Sequence, residues 1–241
     1  MTPASPPLAE TVIPNFGGGG SCVRENHTFC WGWFADHWGD TFRPALTQHI
    51  VLTLIAVGVG LAIAMACALF AYRKRWFEGP FVLFSGFLYT IPSLALFQLL
   101  VPITGLTTTT AEIALVSYTL LILFRNILTG LRGVPEEARD AARGMGLTPT
   151  QSLWRVELPL ALPAIVAGLR VATVTVISLA TVAAFVIDKG LGAPIFAALQ
   201  TSFKTEFIAA GGLAVALALA ADALLVLAQR ALTPWARGMI A

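Results

Sequence analysis

The chain has 241 residues, 57% of them hydrophobic and 12% charged, against roughly 25% charged in a soluble domain. So little polar surface cannot coat a globule, which excludes an ordinary soluble domain and predicts an all-α integral membrane protein. The net charge of +2 makes nucleic acid an unsuitable partner and leaves the distribution of basic residues as the informative quantity.

Residues 1–21 hold four prolines and the run Gly17 to Gly20 without periodic apolar residues, and read as a disordered tail. No basic stretch followed by an apolar core marks a cleavable signal. Trp31, Phe34, Trp38 and Phe42 then recur at steps of three, four and four. This spacing predicts a helix lying flat in the outer interface, an aromatic anchor that Pro44 terminates. A sharper alternative is that the rings cage a cation. Cys22 and Cys30 fall on the expected outer side, where an intrachain disulfide leads over two free thiols. Zinc held by Cys22, His27, Cys30 and His37 matches no familiar ligand spacing. Cys67, inside the first apolar run, reads as a small packing residue.

Five apolar runs reach or approach the roughly 20 residues needed to cross a bilayer: 50–72, 80–103, 111–124, 160–187 and 207–227. Of the fifteen Lys and Arg, eleven (Arg73, Lys74, Arg75, Arg125, Arg132, Arg139, Arg143, Arg155, Arg170, Arg230 and Arg237) lie in or beside the segments after runs one, three and five. Arg24, Arg43, Lys189 and Lys204 fall on the other side. Cytoplasmic loops collect basic residues, so the N-terminus is expected outside and the C-terminus inside. The organisation expected is an extracytoplasmic segment over 1–48, a membrane domain over 49–232 with a cytoplasmic hairpin at 129–159, and a tail at 233–241.

That hairpin is the most polar stretch of the chain. Gly133-Val134-Pro135 followed by Glu136 and Glu137 is a helix start, with proline in the first turn and acids at the positive end of the helix dipole. Gly144 and Gly146 can end this helix. Thr148 caps a second one, with Pro149 first and Gln151 closing a capping box, and that helix runs past Trp154 until Leu158-Pro159 leads into run four. A plain connection needs two to eight residues, so two capped helices imply a docking surface. Ala141 and Ala142 offer a small-residue face, and Arg139, Asp140 and Arg143 charge-assisted contacts.

The hairpin resembles the cytoplasmic signature of ATP-binding-cassette importer permeases, which reads Glu-Ala-Ala, three residues, Gly, nine residues, Ile, one residue, Leu-Pro. Here Asp140-Ala141-Ala142, Gly146, Val156 and Leu158-Pro159 fall at that spacing, with Asp for Glu and Val for Ile. Thr90-Ile91-Pro92-Ser93, Arg125-Asn126 with Gly130-Leu131, and Gly190-Leu191-Gly192 look like the osmoprotectant branch, whose members import glycine betaine, choline or carnitine. Asp188-Lys189 stand where that branch usually has the front half of a glycine-rich turn. The resemblance implies the type I importer permease fold in the bacterial cytoplasmic membrane. It implies that a second permease, identical or related, pairs with this one, that two ATPase subunits grip the hairpins, and that an external binding protein delivers cargo. Glu137, Asp140, Ala141, Ala142, Gly146, Val156, Leu158 and Pro159 would couple the chain to the ATPase. ATP and magnesium would sit on that partner, because the chain has no GxxxxGK[ST] loop to cradle phosphates. It also lacks HExxH and GxSxG, and its three histidines, His27, His37 and His49, lie at or beyond the outer boundary, so the chain is not expected to be an enzyme.

Charges inside the membrane are costly unless paired or hydrated. Arg170 and Asp222 fall at similar depths and are expected to pair, with snorkelling of Arg170 to the headgroups as the competing arrangement. Glu112 is expected to stay hydrated near the outer end. Thr175, Ser178 and Thr181 along run four, with Thr90 and Ser93 flanking a Pro92 kink in run two, are the candidates for a translocation path; the competing role is hydroxyls bonding back to their own helices. An importer of amino acids or another small polar solute is the runner-up function. A membrane scaffold subunit is the reading from another class.

Overall fold

In lipid every backbone N–H and C=O must find its partner within the chain, so Ala-, Leu- and Val-rich runs become helices. The computed structural model describes residues 20–234; the expected disordered tail, apart from Gly20 and Ser21, and the end of the C-terminal tail lie outside them. Among the described residues the helices are α1 Ser21–Arg24, α2 Trp31–Asp36, α3 Arg43–Arg73, α4 Glu78–Thr90, α5 Ser93–Thr104, α6 Thr108–Arg132, α7 Glu136–Gly144, α8 Pro149–Ser152, α9 Leu158–Ile187, α10 Gly192–Thr201 and α11 Lys204–Leu232. Four helical rods are long and apolar enough to span a membrane, and a fifth span exists if α4 and α5 are taken together.

The kink expected at Pro92 in the second run is a sharp bend. α4 and α5 meet at 100°, because Pro92 has no N–H to continue the ladder and forces the residue before it out of the helical region; Ile91 is extended, with ψ 129°. The Ile91 carbonyl, turned out of the helix by this extended backbone, is not left bare, since the Tyr118 hydroxyl of α6 donates to it.

α6 is the centre of the bundle, packed against α3 and α9 along its length. One core holds Phe81, Leu123, Phe124, Ile127 and Leu131; another, towards the opposite end, holds Phe97, Leu115, Tyr118 and Val176. Small residues let the axes approach. A Cβ on Gly168 of α9 would lie 2.4 Å from the Cβ of Asn126, so α6 and α9 touch almost backbone to backbone there. By contrast, α3 and α11 leave Leu54, Ile55, Val215, Leu219 and Leu224 exposed, the surfaces that lipid or another subunit must cover.

Residues 31–42 form two short helical pieces in place of one continuous helix ending at Pro44. The aromatic stretch breaks at His37, continues as a π-turn over Trp38–Phe42, and Pro44 begins α3 instead of ending a helix, since proline is tolerated in a first turn. Phe42 is fully buried and Trp33 stacks on His37 and meets Phe203 edge-on, whereas Trp31 and Trp38 remain exposed. Cys22 and Cys30 form a disulfide, which removes the free-thiol and zinc alternatives. The stapled segment caps the α10–α11 corner: Asn26 Nδ2 donates to Ser202 O at 2.8 Å, Lys204 N to Asn26 Oδ1 at 3.0 Å, and Cys30 N to Thr205 Oγ1 at 3.0 Å.

Candidate functional site: a braced hairpin at one end of the bundle

Glu136 and Glu137 occupy the first turn of α7 and Arg143 the last, in accord with its dipole. Arg139 Nη1 donates to Glu136 Oε2 at 2.9 Å, and this bond, followed by the nearby Arg143 charge, holds the Glu136 carboxyl below the usual carboxylate range. Asp140 Oδ1 forms an ion pair with Arg143 Nη2 at 2.8 Å. The helix ends in a paired-carbonyl cap: Gly146 N donates to Arg143 O at 2.9 Å and Leu147 N to Ala142 O at 3.1 Å, with Gly146 at φ +75°, a conformation that favours glycine. Gly144 is the last helical residue rather than a terminator. Thr148 and Gln151 make the reciprocal capping box, Gln151 Oε1 accepting from Thr148 N at 2.9 Å.

Two expectations about this hairpin are corrected. Its second helix is not a separate element, because α8, a π-turn at Leu153–Glu157 and α9 run on as one 39-residue rod from Pro149 to Ile187. Pro159 sits in the first turn of α9, where the missing N–H costs nothing, so Leu158-Pro159 does not interrupt it. Nor do the two alanines share a face. Ala142 is wholly buried and anchors α7 to the bundle, whereas Ala141 is exposed. With Ala141, the outer surface carries Glu137, Asp140, Met145, Gly146 and Trp154, while Val156, Leu158 and Pro159 are half-buried.

Glu157, which sequence reasoning passed over, bolts this surface to the spans. It is buried, its Oε2 accepts from the Tyr72 hydroxyl at 2.5 Å, its Oε1 accepts from Ser152 Oγ at 3.0 Å, and Arg139 Nε stands 3.7 Å away. Arg139 also donates to Leu131 O at 2.9 Å, and Arg73 to Thr150 Oγ1 at 3.2 Å. The ends of α3 and α6, helix α7 and the root of α9 therefore share one polar knot. The only signal in the sequence was a lone acid between Val156 and Leu158.

Deeper in the bundle Arg170 and Asp222 meet, Nε to Oδ1 at 2.7 Å and Nη2 to Oδ2 at 2.9 Å. Glu112 departs from the hydrated position expected of it: both carboxylate oxygens are buried and have no hydrogen-bond partner among the described residues. The path candidates are not joined by hydrogen bonds. Thr90 donates to Phe87 O and Thr181 to Ser178 O, back to their own helices; Ser178 is exposed and Thr175 and Ser93 half-buried, with Pro92 at the α4–α5 bend. The glycine turn is docked on α3. His49, wholly buried, uses Nε2 towards Ile177 O at 3.0 Å and Nδ1 to accept from Leu191 N at 3.2 Å; Gln48 Oε1 accepts from Gly190 N at 3.0 Å.

A family model described as "Binding-protein-dependent transport system inner membrane component" matches residues 58–238. The chain is 37% identical over 188 residues, 78% of its length and 86% of the relative's, to the choline transport system permease protein OpuBB of Bacillus subtilis (strain 168). It is 34% identical over 188 residues, with the same two shares, to the glycine betaine/carnitine/choline transport system permease protein OpuCB of that organism. In fold it is similar to an inward-facing structure of the MetNI methionine ABC transporter, with a TM-score of 0.69 at 20% identity over 78% of this chain and 94% of the other.

Proposed function

The chain belongs to the family of binding-protein-dependent transport system inner membrane components, and from that premise we propose that it is the permease subunit of an ATP-driven importer for quaternary-ammonium osmoprotectants of the choline, glycine betaine and carnitine kind. The cargo class is supported by the relatives' roles. The observation that carries the mechanism is the Glu157 knot, in which Tyr72 of α3 and Arg139 of α7 converge on one buried carboxylate.

In this reading the hairpin faces the cytoplasm, the N-terminus is outside and the C-terminus inside. Two ATPase subunits, which hold the ATP and magnesium, dock on the exposed Asp140, Ala141 and Gly146 surfaces of two paired permeases, and a binding protein delivers cargo at the opposite end. Because α8 runs unbroken into α9, a push on the hairpin moves the whole 39-residue rod instead of being absorbed in a loop. The knot forces α3 and α6 to follow, so the spans rock together between outward- and inward-open states.

Proteoliposomes holding the permease, its ATPase and the binding protein test the proposal. ATP-dependent uptake of labelled choline, betaine or carnitine, abolished by Gly146→Asp, is the expected result. Uptake of labelled amino acids but none of these amines would move the assignment to the runner-up cargo, and a purified complex without an ATPase would overturn the reading altogether.

A further inference from the structure

A cleft of about 500 Å³ opens between the start of α4 and the end of α6, at the same end of the bundle as the hairpin, with Arg75, Arg125, Arg132 and Glu78 on its rim and Phe124 and Leu128 in its wall. Arg132 is committed, because both its terminal nitrogens are given to Glu78 at 3.0 and 2.6 Å. Arg75 and Arg125 have no hydrogen bond or ion pair among the described residues and share the field of Glu78 with Arg132, which leaves three guanidiniums to one carboxylate around one cavity.

Basic residues at the end of a span orient a chain in the membrane whatever lies between them. These two differ in being set around a concave site with an apolar wall. Val82 continues that wall onto α4, whose Leu83, Phe84 and Phe87 are exposed. Trp76, next to Arg75, is 69% exposed, the placement of a ring at headgroup depth. A rim of surplus positive charge over an apolar slope matches an amphiphile with an anionic head, and guanidinium forks match phosphate oxygens. Nucleotides and soluble acids have no use for the slope.

We propose that the α4–α6 cleft binds the phosphodiester of an anionic phospholipid, held by Arg75 and Arg125, with the acyl chains lying along Val82 and the exposed face of α4. This site does not depend on the cargo or on the transport reading. Basic pockets between membrane helices are common lipid sites, and here the occupied lipid would brace the broken second span against α6.

The test uses the full-length chain in neutral detergent, with melting temperature read against short-chain phosphatidylglycerol, phosphatidylcholine and inorganic phosphate at constant ionic strength. Phosphatidylglycerol is expected to raise the midpoint, and phosphatidylcholine and phosphate are not. Arg75→Gln and Arg125→Gln are each expected to raise the half-saturating phosphatidylglycerol concentration about fivefold, the effect of one interfacial charge. Lys204→Gln, at the opposite end, should leave it unchanged. Because Arg75 makes no hydrogen bond or ion pair among the described residues, its variant should fold even if the Arg125 variant does not, and it alone decides the question. Equal responses to the two lipids, a full response to phosphate alone, or an undiminished phosphatidylglycerol response in Arg75→Gln would each overturn the proposal.

Discussion

Arg170 on α9 and Asp222 on α11 face each other with two parallel hydrogen bonds, at 2.7 and 2.9 Å, so the rod that begins in the hairpin is tied to the last span by a planar ion pair. Such a fork fixes the azimuth of both helices as well as their separation. Both side chains are half-exposed, so neutralising one partner leaves a lone charge on the face of an apolar span, while neutralising both leaves none. Asp222→Asn and Arg170→Gln are each expected to lower the melting temperature and membrane yield of the chain, and the double variant to recover much of the loss. A double variant that is simply the sum of the two singles would show that the pair does not act as a unit.

The opposite exposures of Ala141 and Ala142 predict two kinds of failure. Ala141→Trp should melt like the wild type yet lose ATPase co-purification and uptake, because the new ring projects from the outer surface of α7. Ala142→Trp must find room in a filled core and is expected to cost at least about 1–3 kcal/mol, visible as a lower melting temperature. Identical behaviour of the two would contradict the orientation of α7.

His49 fastens the glycine turn to α3 and α9. A backbone carbonyl only accepts and a backbone N–H only donates, so the ring must carry its proton on Nε2 and be neutral. His49→Phe leaves Leu191 N without a partner, at a cost of about 1–3 kcal/mol if that group stays dry, while Ile177 O, inside α9, keeps its helical partner. Gly190→Ala combines φ +73° with a Cβ 3.0 Å from His49 Nδ1, and should cost about 1 kcal/mol or more from the backbone conformation alone. Thermal melts of the purified variants measure both.

Glu112 predicts a change in the other direction. Its two oxygens are buried without a hydrogen-bond partner among the described residues, and a dry carboxylate costs more than a dry amide. Glu112→Gln is expected to melt at the same temperature as the wild type or higher. If it melts lower while leaving cargo uptake intact, the carboxylate has a structural partner and the burial argument is wrong.

The sequence by itself determined the all-helical membrane class, the apolar runs that became the long rods, and the hairpin with its capping box, because hydropathy and capping act over a few neighbouring residues and need no knowledge of the rest of the fold. It also narrowed Arg170 and Asp222 to matching depths, since helix rise converts residue number into distance. Only the tertiary structure decided that the kink at Pro92 is as sharp as 100°, that the segment before α3 is a stapled cap with Phe42 buried and Trp31 exposed, that Ala142 and the carboxylate oxygens of Glu112 are buried, and that Glu157, Tyr72 and Arg139 share one knot. Those outcomes depend on which faces of helices far apart in the chain meet. Whether a proline kinks or starts a helix, and whether a carboxylate is wet or dry, is settled by the neighbour that packs against it, and a run of residues carries no record of that neighbour.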